Sequence, residues 1–225
     1  ELGALRDQGV AHVVVDAVAN SDLVVIAEAC RDMPLMTGGS AVAMPLPGLY
    51  LADGTLSADA FKQKAPRLAV KTIVLSGSCS EMTNMQVNDY THRGAPAFRL
   101  DPLELTKSGP QTAIDWLSQQ ELIRAPILYA TTDRASVKVA QDMLGVAQAG
   151  EIVEQALAAC AVAARDAGAR RFIVAGGETS GAVTKALEIN QLDIGAEIAP
   201  GVPWTFCHSR GHQIALALKS GNFGT

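Results

Sequence analysis

At 225 residues, with 48% hydrophobic and 18% charged side chains, the chain is long enough for one large domain or two small ones and can bury a sizeable core. A net charge of −5 argues against a nucleic-acid partner, whose binding domains carry basic patches, but not against a nucleotide, which needs only local donors. Cys30, Cys79, Cys160 and Cys207 show no metal-ligand spacing and read as reduced thiols of a cytoplasmic protein; no signal peptide and no membrane-spanning apolar run is read.

The chain opens at Glu1 without an initiator methionine and closes on Asn222-Phe223-Gly224-Thr225, so both ends read as cut from a longer protein. Val13-Val14-Val15 suits a strand. Asn20 or Ser21 is placed to cap a helix running to Cys30, and Pro34-Leu35-Met36 opens a second strand ending in the turn Thr37-Gly38-Gly39-Ser40. Residues 44–57, with Pro45, Pro47, Gly48 and Gly54, mark the boundary candidate. A second α/β series follows. Strands are expected at 72–75, 96–100, 127–130 and 172–175, and helices at 81–92, 111–123 and 151–167. Two strand-like runs, 204–208 and 212–218, joined by Ser209-Arg210-Gly211, read as a hairpin added at a sheet edge. The expected fold is therefore α/β: a mostly parallel sheet with helices on both faces, plus a C-terminal β-hairpin.

Three loops should stand at carboxyl ends of strands, where open α/β sheets bind ligands. They are Ser76-Gly77-Ser78-Cys79-Ser80, Gly176-Gly177-Glu178-Thr179-Ser180-Gly181 and Ser220-Gly221-Asn222-Phe223-Gly224. Taken alone, the first reads equally well as a turn with an N-cap. The second has three glycines around a hydroxyl pair, more than a strand-to-helix turn requires, and reads as a phosphate loop: its glycines admit the ligand and the first helical turn offers free N–H groups. The lysine-bearing P-loop pattern and the GxGxxG pattern are both missing, which turns the reading away from P-loop and dinucleotide proteins. Glu178 could hold Mg²⁺ through water or simply favour a helix N-terminus. Asp16 and the 37–40 turn could face a substrate or merely order their loops, and Glu197 could cap the turn at 199–201. His92, His208 and His212 are not spaced as metal ligands, no residue set is assigned to a metal, and Met82 and Met85 are expected in the core.

These blocks resemble the four-carbon acid sugar kinases. The likeness lies in Val74-Leu75-Ser76-Gly77-Ser78-Cys79-Ser80, in Ala175-Gly176-Gly177-Glu178-Thr179-Ser180-Gly181-Ala182-Val183, in residues 194–204 (IGAEIAPGVPW) and in residues 218–224 (LKSGNFG). Family members also carry an N-terminal domain whose Ala-Asp-Asp-rich loop binds the sugar acid, and that loop is absent here. The resemblance implies residues 1–48 as the remnant of that substrate domain, 49–69 as a linker and 70–225 as the nucleotide-binding domain. It implies ATP with Mg²⁺ as cofactors, a tetronate or 3-oxotetronate as substrate, and the rest of the N-terminal domain as a partner; a homo-oligomer stays open. Nucleotide contacts implied by motif, together with their loop neighbours, are Ser76, Gly77, Ser78, Gly176, Gly177, Glu178, Thr179, Ser180, Gly181, Gly221 and Asn222, and the catalytic residues stay unassigned. A non-catalytic nucleotide-binding regulatory domain is the competing reading, and an unrelated α/β enzyme of a phosphorylated substrate is a third.

Overall fold

The computed structural model describes residues 2–57, 59, 65–130, 132 and 134–224. Positions 58 and 60–64 of the expected linker, and the terminal residues Glu1 and Thr225, lie outside the described residues. The chain divides into two units, Glu1–Lys64 and Ala65–Thr225.

In the first unit, α1 (Leu2–Asp7) and α2 (Asn20–Cys30) precede a 3-10 turn (Ser40–Ala43) and α3 (Leu46–Ala52). The cap of α2 differs from expectation. Ala19 stands at the N-cap, and Asp22 reaches back to accept from the Val18 and Ala19 N–H groups at 2.9 and 3.0 Å. These bonds hold the Asp22 carboxyl below its usual range. The valine run at 13–15 is not a strand and is exposed, Val14 at 94%. Residues 34–36 form no strand either: among the described residues of this unit neither segment has a pairing partner, and an unpaired strand leaves its backbone groups unsatisfied. Much of the proline- and glycine-rich boundary segment folds as α3, which tolerates Pro47 in its first turn.

The second unit carries β1 (Thr72–Ser76), α4 (Glu81–His92), β2 (Ala97–Arg99), α5 (Pro102–Ser108), α6 (Gln111–Ser118) and β3 (Ile127–Tyr129). It continues through α7 (Arg134–Leu144), α8 (Val146–Asp166), β4 (Arg171–Ala175), α9 (Gly177–Ala186), β5 (Asp193–Ala199), β6 (Val202–Ser209) and β7 (His212–Lys219). The sheet runs β2-β3-β1-β4-β7-β6-β5, parallel from β2 to β7 and antiparallel beyond. The expected hairpin is β6–β7, but it is not an edge addition. β7 pairs in parallel with β4 inside the sheet, and the strand missed by the sequence reading, β5, forms the edge.

Chain direction decides the layers. The crossover from β1 to β2 moves one way along the sheet, and those from β2 to β3 and β3 to β4 move the other way. Right-handed crossovers then place α4 on one face and α5, α6 and α8 on the opposite one. Consistent with this, α8 packs against α5, α6, α7 and α9. Helix α4 is capped by Ser80, whose hydroxyl accepts from Thr83 N at 3.3 Å. Its inward positions are Thr83 and Val87, one turn apart, whereas Met85, expected in the core, is 61% exposed and Met82 half-buried.

Helix α8 is the spine of the core. It begins five residues earlier than expected and, at 21 residues, is long and apolar enough to cross a bilayer, contrary to the sequence reading. Its apolar face is instead used on the sheet and neighbouring helices: Val153, Ala156, Leu157, Cys160, Ala161 and Ala164 are all buried there. Burial pushes the Cys160 thiol up to about 12, and burial with nearby Asp193 pushes Cys207 up to about 11, so both are protonated at neutral pH.

At the far end of α8, Arg165 is 1% exposed. Its Nε donates to Asp166 at 2.8 Å and its Nη1 to Ser209 Oγ at 3.1 Å, while among the described residues Nη2 has no partner. Asp166→Asn should therefore lower stability at neutral pH by about 1–2 kcal/mol, less than the ~3–5 kcal/mol of a fully buried pair, because solvent screens its carboxylate. The hydrogen bond and charge of Arg165 hold Asp166 below its ordinary 3.8, so its contribution is complete above that pH and is lost as pH falls through the lowered value. Urea midpoints at pH 7 and at about pH 2 check this. The gap should be present in the first condition and close in the second.

Candidate functional site

β1 and β4 are neighbouring parallel strands whose following helices leave toward opposite faces, and such a divergence opens a crevice at the strands' carboxyl ends. The three glycine loops meet there, around one peptide unit. The Ala175 carbonyl accepts from the N–H groups of Gly77 and Ser78 at 3.1 and 3.3 Å. The N–H of the same peptide, that of Gly176, donates to the Lys219 carbonyl at 2.9 Å. Gly176 can serve both sides because it sits at φ 121°, and a Cβ there would lie 3.0 Å from Thr179 Oγ1 and 3.3 Å from Ser78 N.

The third loop is fixed through one carbonyl. Gly221 O accepts from Ser80 Oγ at 2.6 Å, Thr83 Oγ1 at 2.7 Å and Lys219 Nζ at 2.7 Å. A Cβ at Gly221 would stand 2.9 Å from Ser78 Oγ. Lys219 also donates to Thr83 Oγ1 and Ser220 O, all neutral acceptors, and burial lowers its pKa.

Below the loops lies a cavity of about 950 Å³. Gly77, Ser78, Gly176, Gly177, Glu178, Thr179 and Gly221 line one side of it. The rest of the lining comes from segments the sequence reading did not connect with the site, including residues 99–103, α7 and the first turns of α8. Leu100, Leu103, Val137 and Val146 give it an apolar wall. Asp101 is committed to capping α5, accepting from Leu103 N at 2.9 Å, while Arg99 is exposed and its side chain makes no hydrogen bond or ion pair among the described residues.

Helix α9 points its N-terminus at the cavity without a side-chain cap. Among the described residues, the N–H groups of Gly177, Glu178 and Thr179 find no acceptor. Thr179 is 2% exposed, and its hydroxyl, between Gly77 and Gly176, is likewise unpartnered among the described residues. This is an anion-binding arrangement.

Four of the sequence-read residues stand elsewhere. Ser76 is 1% exposed, its carbonyl bonded to Ala130 N, and does not line the cavity. Ser180 and Gly181 line a separate depression of about 340 Å³ with Thr184, and the Ser180 hydroxyl donates back to Gly176 O at 2.7 Å. Asn222 does not line the cavity. Glu197 caps its turn, accepting from Gly201 N at 2.6 Å. In the first unit, the 37–40 turn lines its own cavity of about 480 Å³ with Arg31 and Tyr50, and Arg31 is paired with Asp53.

Residues 73–225 match the family model described as "Nucleotide-binding C-terminal domain", and residues 1–46 match "Sugar-binding N-terminal domain". The chain belongs to this family of sugar-acid kinase homologues. It is 45% identical over 225 residues to a 3-oxo-tetronate kinase of Pseudomonas fluorescens, covering 99% of this chain and 51% of that protein. It is also 45% identical over 224 residues to one of Cupriavidus necator, with the same coverage. The chain thus spans about half the length of these relatives. Among solved structures it resembles a Salmonella typhimurium LT2 protein described as a putative tRNA synthase, at TM-score 0.80 and 37% identity over 99% of this chain and 52% of that one. A Haemophilus influenzae protein matches at TM-score 0.73 and 39% identity, covering 99% and 53%.

The two adjacent glycines should behave differently. Gly176→Ala should destabilise by about 1–3 kcal/mol, because its backbone conformation is one that side chains strain. Gly177→Ala should stay within about 0.5 kcal/mol of the parent, since no atom stands within 4 Å of its Cβ position. Denaturant midpoints of the two variants measure the difference.

Proposed function

We propose that this chain is the nucleotide-binding portion of an ATP-dependent kinase that phosphorylates a four-carbon sugar acid, a tetronate or 3-oxotetronate. The observation that carries the reading is the uncapped N-terminus of α9, opening beneath three stitched loops into a cavity large enough for a nucleotide. The similarity to 3-oxo-tetronate kinases supports the choice of substrate class. In this reading the N–H groups at 177–179 and the Thr179 hydroxyl hold phosphate oxygens. The apolar wall at Leu100, Leu103, Val137 and Val146 takes the base. Mg²⁺ would neutralise charge on the transferred phosphoryl group, and Glu178, a carboxylate on the cavity wall, fits its preference for hard oxygen ligands.

The same proposal makes residues 1–48 part of the substrate domain, 49–69 the linker and 70–225 the nucleotide domain, supported by the two family-model matches. Cytoplasmic residence belongs to it as well, supported by the four unpaired cysteines. This portion alone should bind ATP and ADP but leave tetronates unphosphorylated, because half of the relatives' length, with its sugar-acid loop, is not in it. Calorimetry with ADP and a coupled kinase assay over a tetronate panel test the two halves separately. Absence of nucleotide binding would sink the reading, and turnover by this portion would overturn the division of labour.

Gly177→Val should cost more nucleotide affinity than Thr179→Ala. The first fills the approach to the loop backbone, and the second removes one hydroxyl hydrogen bond, worth about 0.5–1.5 kcal/mol. Equal losses in two well-folded variants would mean that the backbone is not the cradle.

A further inference from the structure

We propose that Lys219, at the end of β7, is the positioning residue for the outer end of the nucleotide's phosphate chain: it holds the Gly221 loop in place and supplies a positive charge behind it. The inference rests on the nucleotide reading above. It goes further by assigning which end of the cavity takes which end of the nucleotide, and which side chain responds to the length of the phosphate chain.

Sheet order sets the direction of the cavity. The parallel strands run β2-β3-β1-β4-β7, and their carboxyl ends share one edge. Arg99, Tyr129, Ser76, Ala175 and Lys219 stand in register on those five strands. Four steps of about 4.8 Å make this row roughly 19 Å long. The apolar lining at Leu100 and Leu103 follows β2 at one end of the row. The uncapped N-terminus of α9 follows β4, and the Gly221 loop follows β7, one strand further from the apolar end. A nucleotide with its base on Leu100 and Leu103 and a phosphate on α9 therefore directs its outer phosphate toward the loop after β7.

The charge on Lys219 is oriented but not neutralised. The side chain is half-buried, and its Nζ donates to Gly221 O at 2.7 Å, Thr83 Oγ1 at 2.9 Å and Ser220 O at 3.1 Å, all uncharged acceptors. Among the described residues no carboxylate forms an ion pair with it. Thr83 lies in the first turn of α4, where the helix dipole disfavours a cation. Burial without a counter-charge is also what lowers the Lys219 pKa. A polyphosphate would bring the missing negative charge. The Lys or Arg on the described cavity lining, Arg99, stands at the β2 end of the row and leaves the phosphate end without a cation of its own.

The loop that Lys219 holds is fixed against the cavity. Ser80 Oγ and Thr83 Oγ1 donate to the same Gly221 carbonyl at 2.6 and 2.7 Å, and a Cβ on Gly221 would stand 2.9 Å from Ser78 Oγ. Gly221 and Ser78 both line the cavity. Thr179, at the start of α9, lines it too; it is 2% exposed, and its hydroxyl has no partner among the described residues. A buried donor left open beside the loop marks the place where a ligand oxygen belongs.

The test measures ADP and AMP affinities of the whole chain in magnesium buffer, by competition with a fluorescent ADP analogue. Lys219→Gln keeps an amide donor for the Gly221 carbonyl and removes the charge. It should weaken ADP by about tenfold and AMP by less than about threefold, because AMP lacks the outer phosphate. Lys219→Arg, which keeps the charge, should retain most of the parent's preference for ADP over AMP. A readout on the parent needs no folded variant: the Lys219 side-chain NMR resonance should move on adding ADP and much less on adding AMP. Equal losses of ADP and AMP affinity in Lys219→Gln would make Lys219 a structural clamp only and overturn the assignment. So would parent-like ADP affinity in that variant, or a Lys219 resonance that responds equally to both nucleotides. Failure of the parent to bind ADP at all would sink the nucleotide reading, and this assignment with it.

Discussion

One peptide unit, the bond between Ala175 and Gly176, holds the site together. Its carbonyl takes two N–H groups from the loop after β1, and its N–H reaches the carbonyl that ends β7. Because a peptide is planar, these bonds fix the relative position of three loops whose residues are far apart in sequence. The outward orientation of the α9 N-terminus, the burial of Thr179 and the placing of Gly221 all follow from that plane being held from both sides. Only glycine allows it, since the chain must turn from strand to helix through φ 121° within one residue.

The glycine loops line only part of the cavity, and α8 supplies the link to the rest. Its buried face is rich in alanine, so it lies close to both the sheet and α9. The same helix that buries Val153 and Leu157 presents Glu151 and Glu154 to the cavity one turn away. Core packing and site electrostatics are therefore set by a single rigid element, which is the arrangement that holds a functional side chain in place without loop disorder.

Much of the second unit could be read from local pattern. The apolar runs of β1, β3 and β4 stand where buried strands belong, and Ser80 marks the start of α4. Asp101-Pro102 carried an equally clear helix start for α5 and was overlooked. Helix α7 carries an amphipathic periodicity that was open to the same reading, and β5 is an exposed edge strand with irregular register and no buried position. The central place of β7 is a long-range pairing that no local pattern encodes. The phosphate-side residues were legible because glycine answers a local backbone demand. Ser180 and Gly181 were over-assigned because a helix rotates by roughly a third of a turn per residue, which carries them off the cavity face and toward Thr184. The apolar wall was invisible for the opposite reason: nothing near its residues in sequence reveals what they face. In the first unit, β-propensity alone misled at 13–15, where the described residues offer no neighbouring strand to pair with.

The inner position of β7 also bears on how the unit assembles. β7 follows every other strand in the chain, yet it separates β4 from β6 and β5. Neither β5 nor β6 can join the sheet before β7 is in place. The antiparallel β5-β6-β7 meander can form early from neighbours in sequence, whereas its docking on β4 closes a much larger loop and is the slower event. During synthesis, β1 to β4 would therefore form a platform that presents the bare edge of β4 until the meander arrives. A chain stopped before β7 would lack the Lys219 carbonyl that holds the Gly176 N–H and the Gly221 part of the cavity lining.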